Sequence, residues 1–444
     1  MRGGHGGPWV FFVTAAFACA CTNKVVDGRV GSAGGYGGTG ADSAAAGTGG
    51  TGGRPTEGGA APAEPDAGTG AGPCQVPESL AATGGTVEII RMSQAGASVG
   101  TEAMPPGTSA IPIAVDQTTL VSFFSPDGTL RSSSWLETSC PTSCVSSMKV
   151  WRVPSEVPTI QAALDQAAFG DTVYVEPGVY TESLQLHSGV RLVGAGAHQT
   201  VLTAGGASMN LIDFSGAYGV TIRGLRLEGT HSGPDCADPD QVLDCAGDWY
   251  RAAIYADGHS GQFGGEDCTS TSAYITQNVI SGNDLGVVLY FLSRAVVRNN
   301  IFVQNEHALV LNHFHEPALV AHNVFYGNAH HAIASDYAYM NVYANLVVGS
   351  SVGFMTERPD WCHAGCNFFQ DVLQIDAPAA VGANGNESLD PKFVEPAGLD
   401  FRLSPGSPAI DQGCFFPADI DGSPTDLGAY GDLAGGWYGQ TITA

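Results

Sequence analysis

The chain has 444 residues, of which only 14% are charged, and its 43 Asp and Glu against 17 Lys and Arg give a formal net charge of -26. Nucleic-acid binding needs a basic footprint and is excluded on that balance; an unassisted grip on an anionic polysaccharide is disfavoured for the same reason. The length admits more than one domain, although a solenoid spends this many residues on a single body.

Residues 1–21 have the layout of an export signal: Arg2, an apolar run from Trp9 to Phe17, then small residues around Cys19 and Cys21. That run is too short to span a bilayer. Ala18, Cys19, Ala20 and Cys21 resemble the lipobox of bacterial lipoproteins, which implies Cys21, or Cys19 in its place, as the lipidated mature N-terminus. Residues 22–73 are mostly Gly, Ala, Thr, Ser and Pro and read as a flexible tether. The expectation is a bacterial envelope protein, an outer-membrane or cell-surface lipoprotein, with ordinary secretion as the alternative.

Residues 74–150 form a small β-rich region, with strands predicted at Thr86–Met92, Ile111–Val115 and Thr119–Phe124 and a hairpin turn at Ser125–Gly128. Packing or capping is the role expected of it. The chain has 11 Cys. The short spacings Cys140 to Cys144, Cys236 to Cys245 and Cys362 to Cys366 suggest local loops clipped by disulfides, ahead of a zinc site at Cys362, His363 and Cys366.

The solenoid is expected over 151–385. Ile160, Leu164 and Ala167 fall at helical spacing within Val157–Ala168, with Pro158 placed for a helix start. Gly170, Asp171, Thr172, Val173, Tyr174, Val175, Pro177, Gly178 and Tyr180 follow, then Val190 to Gly196. This run resembles the opening of the pectin-lyase-like right-handed β-helix superfamily, which implies a short helix plugging the solenoid end. An open end exposes apolar core and unpaired strand edges, so it must be covered.

Residues 274–357 repeat with a period near 22. Ala273, Ala295, Ala318 and Met340 align, and with them Asn278, Asn300, Asn323 and Asn345, then Asn283, Asn305, Asn328 and Ser350. Two apolar columns run alongside: Ile275, Val297, Val320, Val342 and Ile280, Phe302, Phe325, Val347, with Ile222 and Leu225 beginning the same phrase one coil earlier. Short apolar runs between Asn and Gly corners predict an all-β parallel β-helix with coils of about 22 residues, and the resemblance above implies that it is right-handed. The stacked Asn are expected to bond up the ladder.

An insertion, 231–272, leaves the solenoid between coils. Its Asp235, Asp238 and Asp240 suit calcium and its Trp249 and Tyr250 suit sugar rings, with a solvated acidic loop as the rival reading. No motif requires a cofactor, and calcium is the one candidate. Taking Ile254, Val288, Val310, Ile333 and Met355 as one inward column places Asp257, Phe291, His313, Asp336 and Arg358 in a second column, with His315 nearby and Tyr255, Tyr290, Tyr337 and Tyr339 beside it. On this register His313, Asp336, Arg358 and His315 form a candidate catalytic group, in which a His oriented by a carboxylate removes a proton beside an Arg-held acid. Tyr255, Asp257, Tyr290 and Tyr337 join Trp249 and Tyr250 as candidate substrate contacts. His313, Phe314, His315, Glu316, Pro317 and the later His330, His331, Ala332, Ile333 are also faintly similar to segments of mannuronan epimerases, with the order of Pro and His reversed.

Six His lie between His307 and His331, with His307 expected under His330 as a surface ladder or, less simply, a metal pair. Finally, Asp390, Pro391, Phe393, Asp400, Phe401, Arg402, Leu403, Ser407 to Asp411, Gly413, Asp419, Asp421, Gly422, Asp426 and Gly428 to Tyr430 resemble the C-terminal segment of secreted bacterial β-helix proteins. This implies a cap over 386–434, in which Asp419, Asp421 and Asp426 serve calcium or Asx turns. Polysaccharide is the expected partner, bound along the solenoid face without catalysis. The alternative is a lyase, epimerase or glycoside hydrolase.

Overall fold

The computed structural model describes residues 74–93, 96–111, 119–136, 149–204, 210–230, 251–258, 271–292, 294–414, 416, 419, 422–433 and 435–437. Cys19, Cys21, the tether, Cys140, Cys144, and within the insertion Asp235, Cys236, Asp238, Asp240, Cys245, Trp249 and Tyr250 lie outside them.

From Val150 the chain winds into a right-handed parallel β-helix. One wall is an eight-stranded parallel sheet running from Gly178–Thr181 to Phe368–Gln370. The other fifteen strands form two further walls, counted as one sheet because His307–Ala321 and His331–Tyr343 run from one wall into the other. The predicted columns pair as expected: Ile222 with Ile275, Ile275 with Val297, Val297 with Val320, Val320 with Val342. The second column runs Leu227, Ile280, Phe302, Phe325, Val347. All of these point inward and are buried in one continuous core. The Phe302 and Phe325 rings stack 4.7 Å apart and 9° from parallel, so side chains repeat at the coil spacing.

The Asn ladder is longer than predicted. Asn278, Asn300, Asn323, Asn345, Asn367 and Asn386 each accept, on Oδ1, the backbone N–H and the side-chain amide of the residue one coil earlier, except that Asn278 serves the Leu225 N–H. In all of these but Asn386, Nδ2 donates a second bond to a carbonyl of an earlier coil, as Asn323 does to Val297 at 2.9 Å. The residue before each ladder Asn turns the chain at positive φ: Gln277, Asn299, His322, Ala344 and Cys366. Asn283, Asn305 and Asn328 make a second, shorter ladder.

The N-terminal plug is one short helix, Ile160–Leu164, rather than the whole of Val157–Ala168. Thr159 caps it by accepting the Ala162 N–H, and the Glu182 carboxylate takes the N–H groups of Ile160 and Gln161. Its buried Ile160, Ala163 and Leu164 join the solenoid core.

The small β-rich region packs on the flank. Its four-stranded antiparallel sheet comprises Gly85–Ser93, Gly96–Met104, Thr119–Phe124 and Leu130–Leu136, the second and fourth of which alternation in the sequence did not reveal. Ile90, Met92, Leu120 and Phe124 pack against Tyr274, Val296 and Leu319 on the outer side of the coils. Arg191 and Arg223, from successive coils, donate to the carbonyls of Ser133 and Leu130.

The tail follows the same flank rather than only closing the last coil. Phe401, Ala409, Leu427 and Trp437 fill the outer apolar cluster, and Gly428 donates to the Ala344 carbonyl at 2.9 Å. At the meeting of sheet, coils and tail sits Arg298, fully buried, donating to Glu88 Oε2 at 2.5 Å and to Asp432. Cys366 bonds to Cys414 of the tail, and Cys362 is a free, buried thiol. The local Cys362 to Cys366 clip is therefore corrected. Cys366 occupies the outward corner before the ladder Asn, whereas Cys362 stands in strand beside Met340, facing the core. The zinc alternative at Cys362, His363 and Cys366 falls with it.

Candidate functional site

On the other outer face of the coils, strands Ala252–Asp257, Leu285–Tyr290, His307–Ala321, His331–Tyr343 and Val352–Thr356 run in parallel register. The inward column is Ile254, Val287, Leu309, Ile333, Phe354. Tyr255, Val288, Val310, Ala334 and Met355 form the neighbouring outward one. The expected column mixed the two. The cause is one extra residue: His307 to His331 spans 24 positions while Asn305 to Asn328 spans 23. A register carried over from the Asn corners thus slips by one on this face, and a one-residue slip exchanges in for out.

The corrected register redistributes the candidate residues. Asp257, Tyr290, Asn312 and Asp336 share one column. The next position along, after Tyr290, Asn312 and Asp336, is a third corner where Phe291, His313 and Tyr337 all turn at positive φ (52°, 53° and 46°). Bulky side chains are held there at a backbone cost, which is affordable only where the surrounding packing over-determines the turn. Arg358 continues this corner column one coil on, after Met355 and three positions along.

The corner is a stack. Phe291 and His313 lie 4.5 Å apart at 24°, and His313 and Tyr337 5.2 Å apart at 21°. The Arg358 guanidinium sits 5.2 Å over Tyr337 and 4.1 Å over Trp361, which itself stacks on Tyr339 at 4.4 Å. Cation–π pairing and ring stacking fix these side chains against one another. Tyr337 is 43% exposed, so the ridge presents its surface to solvent. Asp360, 3.5 Å from Arg358, partly screens its charge.

Beside the ridge runs the polar column. Asn312 Oδ1 accepts from His313 Nδ1, which fixes that ring's tautomer and makes Nε2 its basic nitrogen. The Tyr290 ring meets Phe291 edge-on at 4.4 Å, and burial followed by the charges of Asp257 and Asp336 raises its phenol above the usual range. His313 and Asp336 therefore stand in adjacent columns rather than in line, and Asn312 is the group that orients His313. Arg358 is brought to Tyr337 and Trp361, not to Asp336. Phe314, rather than His315, pairs with Ala338, and both are buried; the His315 side chain lies outside the described residues. Trp361 and Asn312 were missed by sequence reasoning. Trp361 follows Arg358 by three positions, in the 3-10 turn Pro359–Trp361.

A second cluster lies at the other edge of the same face. His307 pairs in register with His331, not with His330, and their Nδ1 atoms are 2.9 Å apart. These are buried side chains, not a surface ladder.

Coils, ladders, plug and flanking tail together define a right-handed parallel β-helix, with the ridge on one outer face. A family model described as Periplasmic copper-binding protein (NosD) matches residues 170–366. The chain has the right-handed parallel β-helix fold that the resemblance of its coils to the pectin-lyase-like superfamily implied. Among solved structures it is similar to pectin methylesterase PemA from Erwinia chrysanthemi, with 13% identity over 51% of this chain and 79% of that one and a TM-score of 0.29. It is also similar to the Azotobacter vinelandii mannuronan C-5 epimerase AlgE4 A-module, with 17% identity, 48% and 65% coverage and a TM-score of 0.29. A third similarity is to a mannuronic acid specific polysaccharide family 6 lyase from human gut microbiota, at 14% identity, 51% and 54% coverage and a TM-score of 0.31. No curated protein sequence matches the chain.

Proposed function

We propose that this is an exported envelope protein that binds a neutral polysaccharide across the ridge of Phe291, His313, Tyr337, Arg358 and Trp361. The observation that carries the reading is the in-register aromatic and guanidinium stack over four successive coils, with Tyr337 open to solvent. Sugars offer apolar C–H faces and hydroxyl rims. A ridge of locked rings supplies the first need at little entropic cost, and Tyr290, Asn312, Asp257 and Asp336 alongside supply the second. The carboxylates of that column and the net charge of -26 favour a neutral glycan over a polyuronate. Tyr255, one column away, supports the platform, while Trp249 and Tyr250 of the insertion are proposed to border it.

Anchoring through Cys21, or Cys19, places the site at the outer membrane or cell surface; among the described residues no helix is long and apolar enough to cross a membrane. Among those residues, too, no group of three or more His, Cys, Asp or Glu is placed to hold a metal ion, and calcium at Asp235, Asp238 and Asp240 stays a proposal about the insertion.

The purified chain applied to a glycan array is expected to be retained by neutral polysaccharide, and Tyr337→Ala or Arg358→Ala to weaken that binding about tenfold, or about 1.4 kcal/mol. No retention, or equal retention by both variants, overturns the reading. The Asn312-oriented imidazole favours a second reading, in which His313, together with Asp336, Arg358 and His315, serves lyase, epimerase or hydrolase chemistry. Unsaturated-product absorbance or new reducing ends, lost in His313→Ala, would support it.

For the copper named in the family description the chain offers nitrogen rather than sulfur. Burial pushes the Cys362 thiol up to about 11 and Cys366 is bonded to Cys414, whereas the imidazoles of His307, His330 and His331 lie near one another without being placed to share an ion.

A further inference from the structure

We infer that a cavity between the solenoid and the tail binds a small organic ammonium ion, a primary amine on a short alkyl stem. The cavity, about 450 Å³, lies against the ends of strands Ile301–Val303 and Val324–Tyr326 and faces the tail strand Phe393–Glu395 and the 3-10 turn Pro396–Gly398. That volume takes one small molecule rather than a run of polymer. Its walls are apolar, formed by Val303, Val394, Pro396 and Leu399. Tyr326 adds a ring that Phe401 and Phe393 hold in place, at 5.2 and 6.2 Å. Gln304, Tyr326 and Glu395 bring polar groups to the same lining, and among the described residues none of these three side chains has a hydrogen-bond or ion-pair partner.

Gln304 stands where the other coils have glycine. The position before each rung of the second ladder turns at positive φ, and Gly282, Gly327 and Gly349 hold that corner at 63°, 61° and 69°, whereas Gln304 takes it at 55°. A side chain there strains the backbone in a way that glycine avoids. The Gln304 amide bonds nothing in the described chain that would offset this. Leu399, on the tail wall, is likewise a bulky residue in the left-handed region, at 62°. Both walls thus keep a side chain where the backbone alone would favour glycine.

The lining selects the charge and shape of the ligand. Glu395 can only accept, so what meets it must donate. Its charge has no counter-ion among the described residues of a chain whose net charge is -26, so the donor is a cation. One carboxylate among apolar walls supplies too few oxygens for calcium or magnesium. An ammonium fits: Glu395, the Gln304 carbonyl and the Tyr326 hydroxyl offer three acceptors, as many as a primary ammonium has N–H donors. The Tyr326 ring adds a π face for the charge, and the valine, proline and leucine side chains take the alkyl stem. Gln304 precedes, and His313 follows, the strand segment 307–312. Cavity and glycan ridge therefore stand at different corners, and each reading fails on its own measurement.

The test is isothermal titration calorimetry of the purified chain with n-pentylamine hydrochloride. The controls are 1-pentanol, the neutral molecule of the same stem, and tetramethylammonium, a cation without N–H donors. One pentylamine per chain is expected, with both controls about tenfold weaker. Glu395→Gln removes the charge and is expected to weaken pentylamine binding about tenfold. Gln304→Gly removes one acceptor and is expected to weaken it about threefold; it installs the residue that the other coils carry at this corner, so the fold is not put at risk. Absence of saturable pentylamine binding, equal binding of either control, or pentylamine binding unchanged in Glu395→Gln, as general attraction to an acidic surface would leave it, overturns the inference.

Discussion

Arg298 is the residue on which the assembly of sheet, solenoid and tail is most directly tested. It comes from a coil, Glu88 from the flanking sheet and Asp432 from the tail, and all three side chains are at most 3% exposed. His322 Nε2 stands 3.7 Å from Asp432, and Asn299 donates to the same carboxylate. Arg298→Met leaves two buried carboxylates facing each other. Breaking a buried pair this way costs about 3–5 kcal/mol. A second route gives the same size: the variant escapes by protonating Glu88, and moving a carboxyl of ordinary pKa 4.5 to its neutral form at pH 7 costs about 3.4 kcal/mol at 1.36 per unit. That route costs only about 0.7 kcal/mol at pH 5, so the defect is expected to shrink on acidification. The triple variant Glu88→Gln, Arg298→Met, Asp432→Asn is expected within about 2 kcal/mol of the native chain, since removing the whole network strands no charge. Equilibrium urea unfolding followed by circular dichroism at pH 7 and pH 5 measures both. A single variant within about 1 kcal/mol of native at pH 7, or a defect unchanged at pH 5, refutes the account.

Asn323→Ala removes the acceptor of the Asn300 N–H and amide and the donor to the Val297 carbonyl; stranding these buried groups is expected to cost about 2–4 kcal/mol by the same urea assay. Cys414→Ser opens a covalent link across 48 residues, which the chain-entropy relation puts at about 4 kcal/mol, read as the difference between oxidised native chain and variant. His322, buried in the Arg298 network, is held at about 4 against an ordinary 6.5. Its folded pKa is depressed, so the unfolded chain binds the proton first: the contribution of about 3 kcal/mol is complete above pH 6.5 and is lost as pH falls toward 4. His322→Phe should flatten the stability profile between those values, and an unchanged slope would count against burial as its cause.

Much of the fold was legible because a parallel β-helix copies its register from coil to coil. Asn278, Asn300, Asn323 and Asn345 announce their corner since only an amide both accepts from the coil before and donates back to it, and the apolar columns of Ile275 and Ile280 follow at fixed offsets from it. The tail and the small sheet were legible as segments but not in their docking. The residues that hold them, Asn299, His322 and Cys366, are corner positions whose side chains vary because each meets a different partner.

The site was half legible, and the reason lies in one corner. Phe291, His313 and Tyr337 turn the chain at positive φ without the Gly or Asn that marks such a turn in sequence. With that corner unmarked, the only available register was the one set by the Asn ladder, and the coil from His307 to His331 is one residue longer than that ladder allows. The extra residue lies between Asn328 and His331, and the offset between the coils falls from 24 to 22 where strand pairing shifts between Phe314 and Ala318, just past the corner. A bulge there re-aims the side chains beside it. The irregularity that misplaced Asp336 against His313 is thus also what sets His313 between Phe291 and Tyr337 and brings His331, rather than His330, into register with His307. A solenoid is stable through repetition, and the coil that departs from it contributes to the candidate site. Deleting Ala329 is therefore expected to bring the His307 strand to the same 23-residue offset as the Asn corners, leave the Asn ladders intact, and abolish glycan retention. Undiminished retention would show that the extra residue has no part in the site.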